Sequence, residues 1–431
     1  MKKQTDNEKK EHENKEPIPP GEGRREGHET YLAPPPPSKG RIIGLDCHPD
    51  TFTAAVMRGT TPHDATLLSC KADMTLDKFL AWAGGNFTRD DLFLMEAGSN
   101  SFEIHARLVD LGLRAAVMES CHVGKHAKSY ADNDRMAAER IALVFLQGKA
   151  PCVWIPDAST RERRELLHAY TKAVTAHTAA GNGIKGYLNQ FAIRLGKRNP
   201  AMEKTRDWVL GQREWTPLQR ELLTDHFDSL ASQSARRKKL LRLIAAQVAL
   251  EPRMLMCMKL LGIGVVNAFA LLAIIGDIRR FETPAKLVAY IGLNPGQRDS
   301  GKGKRIKLGV GKRGRGDMRR LLIQGAHAVL RMGRATALGQ WGWKLFARKG
   351  ERNIAVAAVA RKMLVQVWHT LMGNDPKDIR DGKSFDLKLT KLIVLLGKTL
   401  RTELGLAGTA QDCITNFKNQ LLVESKKTST A

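Results

Sequence analysis

The stretch RIIGLDCHPDTFTAAVMRG, residues 41–59, decides how the first half of the chain is read. RIIGLD is a short apolar run ending on an acid, Asp46. His48-Pro49-Asp50 supplies a turn, and FTAAVMRG is a second run of strand-forming residues. ATLLSCKA, residues 65–72, gives a third strand-like run, so the chain opens as a three-stranded meander.

Working outward, residues 76–82 have helical apolar spacing, and DLFLMEAG at 91–98 reads as a buried strand ending in Glu96. Residues 101–111 form a second helical stretch, RAAVMES at 114–120 a further strand, and residues 132–146 an amphipathic helix. CVWIP at 152–156 is expected to close the sheet. Three strands followed by helix, strand, helix, strand and helix is the order of an α/β ribonuclease H-like fold. Asp46 then ends the central strand, Glu96 ends the strand expected beside it, and Asp134 falls in the first turn of the last helix. Neighbouring strands bring their ends within a few ångströms, so carboxylates far apart in sequence can share one divalent ion. Acids that merely decorate strand ends are the plainer reading, but an acid ending a buried apolar run is costly unless it is paired.

The second half turns on residues 259–331, which begin KLLGIGVVNAFALLAIIG. Gly262 and Gly264 permit a turn tight enough to bring backbone amides to a phosphate, as in a helix-hairpin-helix segment. Residues 292–316 then carry one serine, Ser300, followed by Lys302, Lys304, Arg305, Lys307, Lys312, Arg313 and Arg315 spaced by glycines. Such a segment buries no apolar area but can wrap a polyanion. Helical spacing over 283–292 and 317–331 flanks it with folded elements, which a basic tail would lack.

Between the halves, residues 160–195 and 218–250 read as two long basic helices forming an arm that packs on itself or on a second subunit. Residues 333–373 form helices whose Trp341, Trp343, Phe346 and Trp368 suit a core better than a base-stacking platform. The domains expected are a disordered tail (1–40), an α/β domain (41–157), a helical arm (158–251), a mainly α, serine-bearing domain (252–374) and a polar extension (375–431). Within the extension, LTKLIVLLGKTL at 389–400 reads as a short helix with no evident partner.

Bulk properties narrow the function. A chain of 431 residues with 42% apolar content supports more than one core, and a net charge of +26 points to a polyphosphate partner. No apolar run reaches a membrane span and MKKQTDNEKK has no signal-peptide core, so a soluble intracellular protein with no membrane partner is expected. The six cysteines form no CxxC pair, which argues against a zinc knuckle or a disulfide framework. Reduced thiols are expected even where Cys47-His48 and Cys121-His122 stand together.

GLD at Asp46, LMEAG at Glu96, NDRMAAERIA at Asp134, LLGIG, GDIRRF, LVAYIGLNP, SGKGKRI and MRRLLIQGAHAVL resemble successive blocks of the DEDD transposases of bacterial insertion sequences. These guide-RNA-directed serine recombinases pair a RuvC-like N-terminal domain with a C-terminal serine-bearing domain, and the resemblance covers nearly all of residues 41–373. It implies Mg2+ on Asp46, Glu96 and Asp134, and Ser300 as a nucleophile forming a covalent link to DNA. It also implies double-stranded DNA at element ends and target, a structured guide RNA, a homodimer or homotetramer, and a place in the bacterial cytoplasm at the nucleoid. The sequence departs from the family pattern at Ala137, where a fourth acid is expected one helical turn after Asp134; Asp132 and Glu139 are the nearby acids. The function expected is a DNA transposase. The alternatives are a RuvC-like junction nuclease using water, or an inactive nucleic-acid-binding relative.

Overall fold

The computed structural model describes residues 34–35, 37, 39–125, 133–149, 151–298, 306–311, 313–374, 382–406 and 408–429. The expected tail, residues 1–33, lies outside them. The chain begins with strands β1 (Ile42–Cys47), β2 (Phe52–Arg58) and β3 (Thr66–Met74), then helix α1 (Leu76–Asn86), β4 (Leu92–Glu96), α2 (Ser101–Asp110), β5 (Arg114–Met118), the short α3 (Ser120–Gly124) and α4 (Asp134–Leu146). The five strands form one mixed sheet in the order β3-β2-β1-β4-β5. β2 runs antiparallel to β1 and to β3, whereas β1, β4 and β5 are parallel.

Strand alternation assigns the two faces of this sheet. Ile43, Leu45, Phe93 and Met95 bury against Phe79 and Ala83 of α1 and Ile104 and Leu108 of α2. Ile42, Leu92 and Leu94 bury on the other face against Ile141, Ala142, Val144 and Phe145 of α4. Gly44 belongs to this second face, and an ideal Cβ there would lie 2.0 Å from the Ala138 carbonyl oxygen. A glycine on the central strand therefore lets the backbone of α4 rest directly on the sheet.

CVWIP does not form the closing strand. Cys152 makes a single antiparallel bridge with Met118, and Val153 N–H donates to the Val117 carbonyl at 2.7 Å before the chain leaves for the arm. Pro151 and Pro156 bracket the segment and withhold the amides a longer ladder would need.

The arm is α5 (Ala158–Asn189), the short α6 (Glu203–Leu210) and α7 (Pro217–Leu250). α5 and α7 pack on each other, with Ile184 and Leu188 meeting Leu223, Phe227 and Leu230 at the tip. α5 stops at Asn189 rather than continuing to 195, because Ala192 adopts φ +59 in the turn that follows.

Beyond the arm lie α8 (Pro252–Met258), α9 (Val265–Ile275), α10 (Pro284–Ile291), the hairpin β6 (Pro295–Arg298) and β7 (Ile306–Val310), then α11 (Gly316–Met332), α12 (Ala337–Lys349), α13 (Arg352–Leu371), α14 (Gly382–Glu403) and α15 (Ala410–Ser429). The nine apolar residues from Ala268 to Ile275 and Val265 are buried in α9, which is the hub of this region. The segment after 375 is not a polar appendage. Phe385, Leu389, Leu392, Ile393 and Leu396 of α14 and Cys413, Phe417 and Leu421 of α15 bury in the same core. Lys388 also donates to the carbonyls of Met258 at 2.8 Å and Leu260 at 2.5 Å, satisfying the buried carbonyl end of α8. Of the four aromatics expected in a core, Trp368 is buried with its Nε1 donating to Phe281 O at 2.9 Å, Trp341 and Phe346 are half-buried, and Trp343 is exposed, its ring held at the surface by Nε1 donating to Leu330 O at 2.9 Å.

Adding a methyl group at Gly44 must push α4 off the sheet. Gly44→Ala is expected to lower stability by about 2–3 kcal/mol, read as a fall in the urea midpoint; an unchanged midpoint would mean that α4 does not rest on β1.

Candidate functional site

α4 approaches β1 with its N-terminus towards the strand's carboxyl end, and Asn133 caps it by accepting from Met136 N–H at 2.9 Å. This places Asp134 beside Asp46. The turn from β1 to β2 brings a third donor, His48, whose Nε2 lies 3.5 Å from Asp46 Oδ2 and 3.5 Å from Asp134 Oδ1. One ligand atom from each of Asp46, His48 and Asp134 lies within 4.8 Å of the other two. The side chains of Asp46, His48 and Asp134 are 23%, 50% and 50% exposed, so solvent or a nucleic-acid phosphate can reach them.

Two carboxylates this close favour a cation between them. Their oxygens fit the coordination of Mg2+, which keeps waters and takes further oxygens from a phosphate. Cys47 does not join the set: burial, with Asp46 beside it, pushes its thiol up to about 12, so it stays protonated.

The expected trio was Asp46, Glu96 and Asp134; the structure brings Asp46 and Asp134 together, with His48 beside both. Glu96 shares the α4 face with Asp46, but β1 and β4 are paired only as far as Leu45 and Met95. Asp46 then stays in register with Thr53 of β2 and Glu96 with Met118 of β5, and Glu96 is not a member of the clustered set. Glu139 is engaged elsewhere, in an ion pair with Arg135 at 3.0 Å, and Asp132 lies outside the described residues. The sequence places His48 in a turn and offers it as a metal donor only through the disfavoured pair Cys47-His48; its position two residues after a strand-end acid is the signal that marks it.

The second group of candidates surrounds α9. Gly262 has φ +72, and a Cβ there would lie 2.7 Å from Gly325 O of α11. Asn267 Nδ2 donates to Gly262 O at 3.1 Å, locking the turn, and Gly264 is the N-cap of α9 with open space about its Cα. The glycine at 262 thus has a packing role, a close crossing of the turn over α11.

Ser300, Lys302, Lys304, Arg305 and Lys312 lie outside the described residues. Lys307 sits on β7 opposite Gln297 of β6, so the described hairpin flanks the segment that carries Ser300. Its base is held by arginines. Arg319 Nη1 donates to Ile291 O at 3.2 Å and Arg313 O at 2.7 Å, and Arg361 Nη2 donates to Leu293 O at 2.8 Å. Arg313 is exposed, whereas Arg315 pairs with Asp317 at 2.7 Å and is largely committed to that structure.

Arg315 also belongs to a denser group. Arg280 packs over Tyr290 and Trp154 with its Cζ 4.5 Å from each ring centroid. Arg164 of α5 donates to Ala273 O at 2.9 Å and Ile274 O at 3.1 Å, closing the end of α9. Trp154 covers Gly276, where an added Cβ would fall 2.1 Å from its ring. The segment leaving the sheet is thereby fastened to the helical region that bears the hairpin. Burial pushes the Tyr290 phenol up, but the Arg280 and Arg315 guanidiniums outweigh it and leave the phenol below its ordinary value.

Residues 255–340, which span the Gly262 turn, the hairpin and α11, match the family described as Transposase IS116/IS110/IS902 family. The chain is 26% identical over 289 residues to the transposase for insertion sequence element IS1111A of Coxiella burnetii, covering 64% of this chain and 77% of that protein. It is 27% identical over 334 residues to the transposase for insertion sequence element IS1328 of Yersinia enterocolitica, covering 76% of this chain and 95% of that one. A Pseudomonas aeruginosa protein named "Probable family 20 transposase" is 29% identical over 252 residues, 57% of this chain and 74% of its own. Among the described residues no helix is long and apolar enough to cross a membrane.

Tyr290 gives this geometry a spectroscopic test. Its phenolate absorbance, isolated by difference from Tyr290→Phe, should appear at lower pH than that of free tyrosine. Arg280→Gln should move it upward, because one of the cations holding the phenolate is gone. In linkage terms the depressed phenol adds stability only as pH rises through its folded value, in full above the unfolded value near 10.

Proposed function

We propose that this chain is a DNA transposase of an insertion sequence, of the IS110/IS116 type, that cuts and rejoins DNA. The observation that carries the reading is the conjunction of two features. Asp46 and Asp134 come together at the end of a mixed sheet, and the family match falls on the other unit, where a basic hairpin brackets Ser300. The sheet order, with β1 central and flanked by β2 and β4, supports a ribonuclease H-like, RuvC-like origin for the first unit.

Each part of the chain then has a chemical task. Asp46 and Asp134 would hold a divalent cation, Mg2+ being the ion that oxygen donors favour, and Glu96 borders the site from the adjacent strand. When bound, the ion supplies charge neutralisation at the phosphoryl and leaving oxygens. Ser300 would attack phosphorus, forming a seryl phosphodiester as the bond to the departing deoxyribose oxygen breaks, with the hydroxyl proton lost to solvent and the leaving oxygen taking one up. Lys302, Lys304, Arg305, Lys307, Lys312 and Arg313 would hold the phosphate backbone in line, and the turn at Gly262 and Gly264 would offer backbone amides to a phosphate. Arg315 would act indirectly, by anchoring the hairpin through Asp317 and Tyr290.

The net charge of +26 suits double-stranded DNA at the element ends and target, and leaves capacity for a structured guide RNA. A homodimer or homotetramer is part of the same reading, since strand exchange needs several cuts held together. Work at the nucleoid in the cytoplasm follows from the DNA substrate.

The decisive experiment incubates the full chain with element-end DNA and Mg2+ and examines denaturing gels for a protein–DNA adduct. The adduct should form with the wild type and vanish in Ser300→Ala. Cleavage that survives Ser300→Ala would mean that water is the nucleophile, and tight, salt-sensitive binding without any cleavage would leave a binding protein. Asp46→Asn should reduce strand cleavage by about a hundredfold or more while DNA affinity is preserved, because a ligand is removed and no cation is added. Normal recombination by that variant would overturn the metal assignment.

A further inference from the structure

His48 is held in place by three parts of the chain. Its N–H and the Thr51 carbonyl form a 3.0 Å hydrogen bond that closes the turn between β1 and β2. Its own carbonyl accepts from Asn100 Nδ2 at 3.0 Å, and Asn100 is the N-cap of α2, which follows β4. Both backbone groups of His48 are therefore committed, and the imidazole starts from a fixed point rather than from a free loop. From that point Nε2 stands 3.5 Å from a carboxylate oxygen of Asp46 and equally 3.5 Å from one of Asp134.

These separations are long for a hydrogen bond to either carboxylate. They suit donors arranged about one ion. Ligand atoms about 2.1 Å from a common cation stand about 3.0 Å apart at right angles and about 3.4 Å apart at a tetrahedral angle. The 4.8 Å span of the whole set leaves room for such an ion once the side chains close slightly, and their exposure permits that movement.

We infer that His48 Nε2 is the third protein ligand of the cation held by Asp46 and Asp134, and that this nitrogen donor shifts the site's preference from Mg2+ towards divalent first-row transition ions. The inference rests on the reading of those two acids as a metal site. Its physical basis is donor chemistry: an imidazole nitrogen suits divalent transition ions, whereas Mg2+ takes oxygen ligands and dehydrates reluctantly. Asp46 and Asp134 by themselves would bind either ion, so the preference is the contribution of His48.

The test uses the full-length protein with Mn2+ alone as the probe, since Mn2+ is paramagnetic and reports its own ligands. Pulsed electron paramagnetic resonance of the Mn2+-loaded wild type should show nitrogen coupling from a directly bound imidazole, and Mg2+ should displace the ion only at large excess. His48→Gln should abolish that coupling and weaken Mn2+ binding about tenfold or more, while Mg2+ binding changes by less than about threefold. His48→Asp, which returns an oxygen donor, should lose the nitrogen coupling yet bind Mg2+ at least as well as the wild type. Tight Mn2+ binding with no nitrogen coupling, or with coupling that persists in His48→Gln, overturns the proposal and leaves the carboxylate site standing. Mn2+ binding that is absent, or indifferent to Asp46→Asn and Asp134→Asn, removes the carboxylate site as well.

Discussion

The contact between Gly44 and α4 is the constraint on which the candidate centre depends. A helix packed on a sheet through side chains sits roughly 10 Å away. Here the missing Cβ lets the Ala138 carbonyl come down onto the strand itself. Asp134, one turn earlier on α4, is carried down with it to the end of β1. Any side chain at position 44 would lift the helix and separate two carboxylates that nothing in the local sequence brings together.

That closeness has an electrostatic cost. Two carboxylates at one strand end repel, and solvent exposure softens the repulsion without removing it. The imidazole of His48, placed between them by a hydrogen-bonded turn, sets a ring nitrogen 3.5 Å from an oxygen of each. A divalent ion held there would offset the repulsion. The same principle runs in reverse around the hairpin, where guanidiniums gather and aromatic faces, helix-end carbonyls and Asp317 receive them. Arginine suits this work because its planar group can stack and donate at once.

The two units are linked by more than chain connectivity. Trp154 leaves the sheet and lands on Gly276, with Arg164 and Arg280 over its ring. α14 and α15 complete the helical core, and Lys388 closes the carbonyl end of α8 just before the Gly262 turn. Apolar spacing in LTKLIVLLGKTL announced a helix, but only burial against α7 and α15 supplied its partner. The polar face turned to solvent had made the segment look detached.

Alternation and helical spacing are local properties, and they were enough to read the strands that end in Asp46 and Glu96, the two arm helices and the helix that begins near Asp134. They also separated the basic hairpin from a tail, because flanking periodicity is written in adjacent residues. What the sequence could not carry was any choice that depends on where strands stop pairing. Asp46 and Glu96 sit at equivalent strand ends, the last paired residues being Leu45 and Met95, and the donor that joins Asp46 and Asp134 in one cluster is His48. The failure of CVWIP as a strand, the burial of the C-terminal helices and the packing duty of Gly262 are of the same kind. Each is decided by atoms distant in sequence and close in space, which tertiary structure alone brings together.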